Sequence, residues 1–272
     1  LAEALAGNGV VIAQTGTTSV NRNSVPRGVA KIGDPLPFLF EWPGMLGPIP
    51  LLGQNAGGVG VINTAPEVDG VTRRVPLIMR IQEDTYPSLA VEVIRLATGQ
   101  PSYQVKANAG GVEKIRVPSY PIINTDPNGQ IWLRWNKQFD TISAIEEDFS
   151  VFQGRTVVIG ITAEGLGSMI ASPTGPQYNY IPAAVTLQTL LDGDQIQRPF
   201  WADLAELGTT AAVSIIAIVT AALAPFWAVG VLIVLVTGGL AYGALYAWQE
   251  YLYLLDVTMP ILAFVLVSLH AI

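Results

Sequence analysis

The chain has 272 residues and no cysteine, which excludes disulfides, thiolate metal sites and a cysteine nucleophile. Its formal net charge is −7 without a basic patch, which argues against nucleic acid, whose phosphates need a Lys/Arg footprint. Charged residues make up 13% of the chain and are unevenly spread: every Lys and Arg lies at or before Arg198, and residues 199–272 carry only Asp203, Glu206, Glu250 and Asp256.

In chain order, residues 1–6 read as the end of an amphipathic helix that stops at Gly7 and Gly9. The start lacks a basic n-region and an apolar h-region, and the end falls inside an apolar run. Both ends read as cut from a longer protein. Residues 10–14 form a short apolar run consistent with a buried strand. Residues 21–57 are rich in Pro and Gly and predict loop with short elements. Residues 58–63 (GVGVIN) predict a strand whose partner is residues 74–81 (RVPLIMRI), with Pro76 marking an edge or bulge and Asp69-Gly70 a turn between them.

A helix is predicted over residues 86–98, capped by Ser88, with Leu89, Val93 and Leu96 on one face, and ended by Gly99. Residues 114–117 and 130–134 predict strands around an Asn128-Gly129 turn, and residues 140–148 a short acidic helix. Residues 156–161 (TVVIGI) give the clearest buried-strand signal in the chain. A last helix over residues 182–191 begins with Pro182 and ends near Gly193. Strands alternating with helices predict an α/β domain over residues 1–200.

Three uncharged runs follow, at residues 207–223, 226–248 and 257–272, divided by Pro225 and by the acidic 249–256 connection, and they predict helices at about 205–224, 226–248 and 257–272. A helix needs about 20 apolar residues to cross a roughly 30 Å hydrocarbon core. The second run suffices alone, the first does with its flanks, and the third would if it continued beyond Ile272. Trp201, Trp248, Tyr251 and Tyr253 stand at the run ends, where amphipathic rings favour headgroups. These features predict an all-α bundle of three transmembrane helices over residues 201–272, in contact with membrane lipid. The acidic 249–256 loop favours the outside, and two crossings then place the preceding domain outside as well. His270 reads as an interfacial residue near the cytoplasmic face.

Chemical motifs are few. Gly160-x-x-x-x-Gly165 follows the strongest strand signal, but Leu166 and Gly167 stand where a phosphate loop requires Lys and Ser/Thr. Dinucleotide and serine-hydrolase fingerprints are missing, and without a histidine in the first domain no Ser-His-Asp triad can form. No catalytic residue, metal site or cofactor is therefore expected. Asp69, Arg73 and Arg74 could hold an anionic ligand or form an ion-paired turn. Glu146, Glu147 and Asp148 read as a solvated helix face or a cation site. Glu164, after the predicted strand, is the best-placed single carboxylate, because ligands favour the carboxyl ends of strands in open sheets.

Several segments together resemble a known family: Val59-Gly60-Val61-Ile62-Asn63, Asp69-Gly70-Val71-x-Arg73-Arg74-x-Pro76-Leu77, Tyr86-Pro87-Ser88-Leu89, and Gly154-Arg155-Thr156-Val157-Val158-Ile159-Gly160. This order, with three apolar helices after it, resembles the type-2 CHASE domain, the cyclase/histidine-kinase-associated sensory extracellular module. The resemblance implies the extracytoplasmic sensory half of a bacterial receptor in the inner membrane. Such a receptor has a cyclase or kinase output beyond this chain, an unknown small-molecule signal and a parallel homodimer. Gly167-Ser168-Met169 and Pro182-Ala183-Ala184 depart from the family pattern. The alternative is an accessory subunit of a membrane complex that keeps the sensor fold without signalling.

Overall fold

The computed structural model describes residues 1–7, 9–19, 28–145, 149–163 and 165–270, which form two compact units, Leu1–Gln195 and Ile196–Ile272. In the first, α1 (Ala2–Leu5) ends ahead of Gly7 and Gly9, and β1 (Val11–Thr17) follows. Next come β2 (Val29–Ile32), β3 (Glu41–Trp42), β4 (Gly44–Leu46) and α2 (Pro50–Asn55). These are the short elements expected of a Pro- and Gly-rich stretch. β5 (Gly58–Val61), β6 (Arg74–Pro76), β7 (Ile78–Ile81) and β8 (Asp84–Pro87) lead into α3 (Leu89–Ala97). After it run β9 (Tyr103–Asn108), β10 (Gly111–Arg116), β11 (Ile123–Asn124) and β12 (Gln130–Trp132). A hairpin of β13 (Met169–Ser172) and β14 (Gly175–Tyr178) precedes α4 (Ile181–Asp192).

The strands form small mixed sheets, in the orders β4-β1-β5, β11-β10-β9-β2, β12-β6, β13-β14 and β3-β7-β8. β1 with β5, β2 with β9 and β3 with β7 are parallel, and the other strand pairs are antiparallel. The α/β expectation therefore holds as mixed sheets with helices. The main core joins Ala90, Val91 and Ile94 of α3 and Val185, Leu187 and Leu190 of α4 to Tyr103, Val105, Val112 and Ile115 of the four-stranded sheet. Ser88 caps α3 by accepting from the Val91 amide, as predicted. The buried face is turned from the predicted one, since Leu89, Val93 and Leu96 are only half-buried. The reason lies in the GVGVIN glycines. A side chain on Gly60 would meet the Leu89 backbone at 2.4 Å and one on Gly58 the Glu92 carboxylate at 2.5 Å, so α3 lies directly on β5. That approach buries Glu92 completely, where Arg95 meets it with two bonds of 2.7 and 2.8 Å.

Several expectations need correction. Residues 156–161 form no strand, and Ile159 is 90% exposed. An apolar run signals a demand for burial without specifying a strand partner, and the neighbours of β1 are β4 and β5 instead. Residues 74–81 do not pair with β5 but divide at Leu77 into β6, which pairs with β12, and β7, which joins β3 and β8. β10 and β12 sit in different sheets, so the Asn128-Gly129 turn does not join them. Residues 140–145 are not helical, and residues 146–148, with Glu146, Glu147 and Asp148, lie outside the described residues.

The second unit holds α5 (Ala202–Leu223), α6 (Phe226–Tyr251) and α7 (Thr258–His270). α5 and α6, of 22 and 26 residues, are long and apolar enough to cross a membrane, yet only 11% and 6% of their most apolar windows are buried within the protein. Core helices of a soluble domain would be covered. α7 has 13 residues, about 20 Å at 1.5 Å per residue, so among the described residues two helices reach crossing length and the third expected crossing is not shown. Val213 and Ala217 of α5 bury against Phe264 of α7.

Candidate functional site

Of the sequence-predicted ligand residues, Asp69 and Arg73 lie on the turn between β5 and β6 and Arg74 opens β6. The Glu67 amide donates to the Val71 carbonyl and the Gly70 amide to the Glu67 carbonyl, with Gly70 at φ +79°. Asp69 shapes the turn by accepting from the Val71 amide at 3.0 Å, the local side-chain bond that makes Asp a turn residue. Asp69 also accepts a two-point bond from Arg73, at 3.0 and 2.7 Å. The Arg73 bond above all, and then the Val71 amide, hold the Asp69 carboxyl down at about 2.

Arg74 points to different partners. Its guanidinium donates to both Glu67 oxygens at 2.7 and 2.8 Å and to Asp126 at 2.9 Å, and its carbon stands 5.2 Å from the centre of the Trp132 ring. The bond to Arg74 lowers the Glu67 pKa, and the bond to Glu67 raises that of Arg74. Asp126 in turn accepts from the Asn128 and Gln130 amides at 2.9 Å each. Thus the structure brings Asp69, Arg73 and Arg74 together and adds Glu67 and Asp126, which the sequence reading missed. Two cations face three carboxylates, a local charge of −1. An anionic ligand here must displace a carboxylate. Glu164 lies outside the described residues.

A second charged cluster, in the helical unit, surrounds Arg198, the last Lys or Arg of the chain. Its guanidinium donates to Asp203 at 2.5 Å, to both Glu206 oxygens at 3.1 and 2.8 Å, and to the Leu254 carbonyl at 3.1 Å. Glu206 also accepts from the Asp256 amide at 2.7 Å, and Asp256 accepts from the Thr258 amide at the start of α7. Backbone bonds from Gln197 to Leu252 and from Leu254 to Gln197 tie the same two segments. The rings of Trp201 and Tyr253 meet edge to face, and Tyr251 stacks on Tyr253. The start of α5, the end of α6 and the start of α7 therefore share one end of the unit, which combines charge with aromatic rings. That is the composition of a membrane–water boundary. The sequence signalled the rings, while the Arg198 clamp depends on pairs up to 56 residues apart.

With this geometry in hand, comparison with protein families is decisive: the model of the CHASE2 domain matches residues 1–223. The chain belongs to the CHASE2 domain family. CHASE2 domains are extracellular sensory domains, and the match runs from α1 to the end of α5, so it takes in the first helix long enough to cross a membrane. Neither the curated proteins nor the solved structures contain a match. Among the described residues no group of three His, Asp or Glu side chains is placed to hold a metal ion.

Proposed function

We propose that this chain is the extracytoplasmic sensory and membrane-anchoring part of a bacterial transmembrane receptor whose cyclase or kinase output follows α7. The observation that carries this reading is the CHASE2 match running directly into α5. The sensory domain stands on the periplasmic side of the inner membrane, α5 and α6 cross it, and α7 begins a third crossing toward the cytoplasm. The signal is a small molecule. Of the turn residues, Arg73 is the one an anionic signal would engage, by displacing Asp69. The receptor acts as a parallel homodimer. Gly238, Gly239 and Gly243 support this, because a side chain on any of them would meet nothing within 4 Å in its own chain, leaving small-residue surface for close helix contact between copies.

Impermeant maleimide labelling of single cysteines in intact cells tests the topology, and the cysteine-free background makes it clean. Val68→Cys, on the fully exposed turn, and Glu250→Cys, at the end of α6, are both expected to react without cell lysis. Protection of both until lysis would reverse the orientation and remove the receptor reading. Peptide mapping of the intact protein beyond Ile272 then identifies the output. Its absence, with the chain held in a stable heteromeric complex, would point to an accessory subunit instead.

A further inference from the structure

The first unit contains a cavity of about 200 Å³ away from the turn residues, between the first turns of α4 and the segment that follows β12. Its apolar wall consists of Trp135, Phe139, Ile181 and Val185. Val185 belongs to the main core, and Trp135 and Ile181 pack against it, so the floor of the cavity is as rigid as the core. An apolar cavity of roughly 150 Å³ accepts a benzene molecule. This one, open on one side, has the volume for a single ring with a short substituent.

Three polar side chains line the same space, Lys137, Thr141 and Gln177. The Gln177 side-chain amide has no hydrogen-bond partner among the described residues. The Thr141 hydroxyl makes only a long bond, 3.4 Å to the Phe139 carbonyl. The Lys137 ammonium donates to Asp192 and Asp194 at 2.5 Å each. An ammonium has three N–H donors, so one remains. Apolar walls with a few convergent polar groups are the usual make-up of a small-molecule site.

Charge narrows the ligand class. Lys137 and Arg134, which bonds Asp194 at 2.8 Å, stand against Asp192 and Asp194. Two positive and two negative groups sum to zero, so the site draws in neither anions nor cations. We propose that this cavity is a second ligand site of the sensory domain, separate from the Arg73 turn, and that it takes a small uncharged ring compound bearing one amide or hydroxyl group. This assignment rests on the sensory reading above. It also gives the ligand a route to act: a ligand that hydrogen-bonds the remaining donor engages the same ammonium that holds Asp192 and Asp194, only a few residues before Ile196, where the second unit begins.

The test uses the full chain in lipid nanodiscs with benzamide as the probe, read by saturation-transfer NMR. Saturable binding is expected, with at least tenfold weaker binding of benzoate. Gln177→Leu keeps the shape and removes the amide, and should weaken benzamide at least tenfold. Ile181→Trp fills the space and should abolish binding; Gln177→Leu carries the test alone if the larger side chain prevents folding. No saturable binding to the natural chain, or equal affinity in the natural chain and Gln177→Leu, would overturn the site, and benzoate binding as well as benzamide would overturn the ligand class. The sensory reading is judged separately, by spin labels on Val219→Cys in α5 and Leu266→Cys in α7. Binding that moves their spacing supports both assignments, whereas binding that leaves it unchanged keeps the site and rejects its role in signalling.

Discussion

The two units of this chain handle water in opposite ways. The first buries apolar side chains in a closed core and even takes an ion pair inside, with Glu92 and Arg95 joined beneath α3. The second turns its apolar side chains outward and gathers its charges at one end, around Arg198. A buried charge is tolerated only when paired, and an exposed apolar helix is stable only when lipid replaces water. One rule of solvation, applied to two solvents, therefore accounts for both.

The largest effect should come from splitting the buried pair. Arg95→Met removes the guanidinium from a fully buried Glu92, and a cost of about 3–5 kcal/mol is expected from leaving such a charge uncompensated. Urea unfolding followed by near-UV circular dichroism measures it. Replacing both residues, by Glu92→Leu with Arg95→Met, should restore most of the loss, and a double variant as weak as the single one would show that the pair itself stabilises the core. Next comes the contrast between solvents. Ile215 is 62% exposed on α5 and Ile122 is 53% exposed in the first unit. Ile215→Lys should oppose membrane insertion by about 2.5–3.5 kcal/mol, whereas Ile122→Lys should change stability by less than about 0.5 kcal/mol. An insertion assay and an unfolding curve give the two numbers, and equal small effects would collapse the comparison.

A smaller loss is expected from Gly60→Val, whose added atoms meet the Leu89 backbone. Overpacking of this kind costs about 1–3 kcal/mol, and hydrogen exchange in α3 should rise in the variant. The smallest effect concerns pH. The Asp69 carboxyl is lowered from 3.8 to about 2 by Arg73. A depressed carboxylate stabilises the fold above its unfolded pKa and loses that contribution as pH falls through the folded one. The turn should therefore loosen between about pH 4 and pH 2, seen as a titration of the Val71 amide resonance. Asp69→Asn should abolish that titration, and a midpoint near 4 in the natural chain would show that Arg73 does not hold the carboxylate in solution.

Local chemistry was legible in the sequence and distant pairing was not. Ser88 and Pro182 announce their helices because capping acts within one turn. The Asp-Gly turn was also plain, since Asp69 bonds a backbone amide two residues on. Arg74, by contrast, finds Asp126 from 52 residues away and Lys137 finds Asp192 from 55, and nothing local to either end marks the match. The TVVIGI run failed for the same reason, because hydrophobicity cannot say which sheet edge is free. The cavity was invisible too, since Gln177 and Thr141 carry no motif and meet only through the path of the chain between β12 and α4.

The Arg198 clamp has a mechanical consequence. Gln197 is bonded on both sides to the turn that reverses the chain between α6 and α7, and Glu206 and Asp256 reinforce that weld. The chain just before α5 is therefore linked to the head of α7 through backbone hydrogen bonds rather than only along the length of α6. The heads of α5 and α7 are thus pinned to each other by a joint that α6 does not carry.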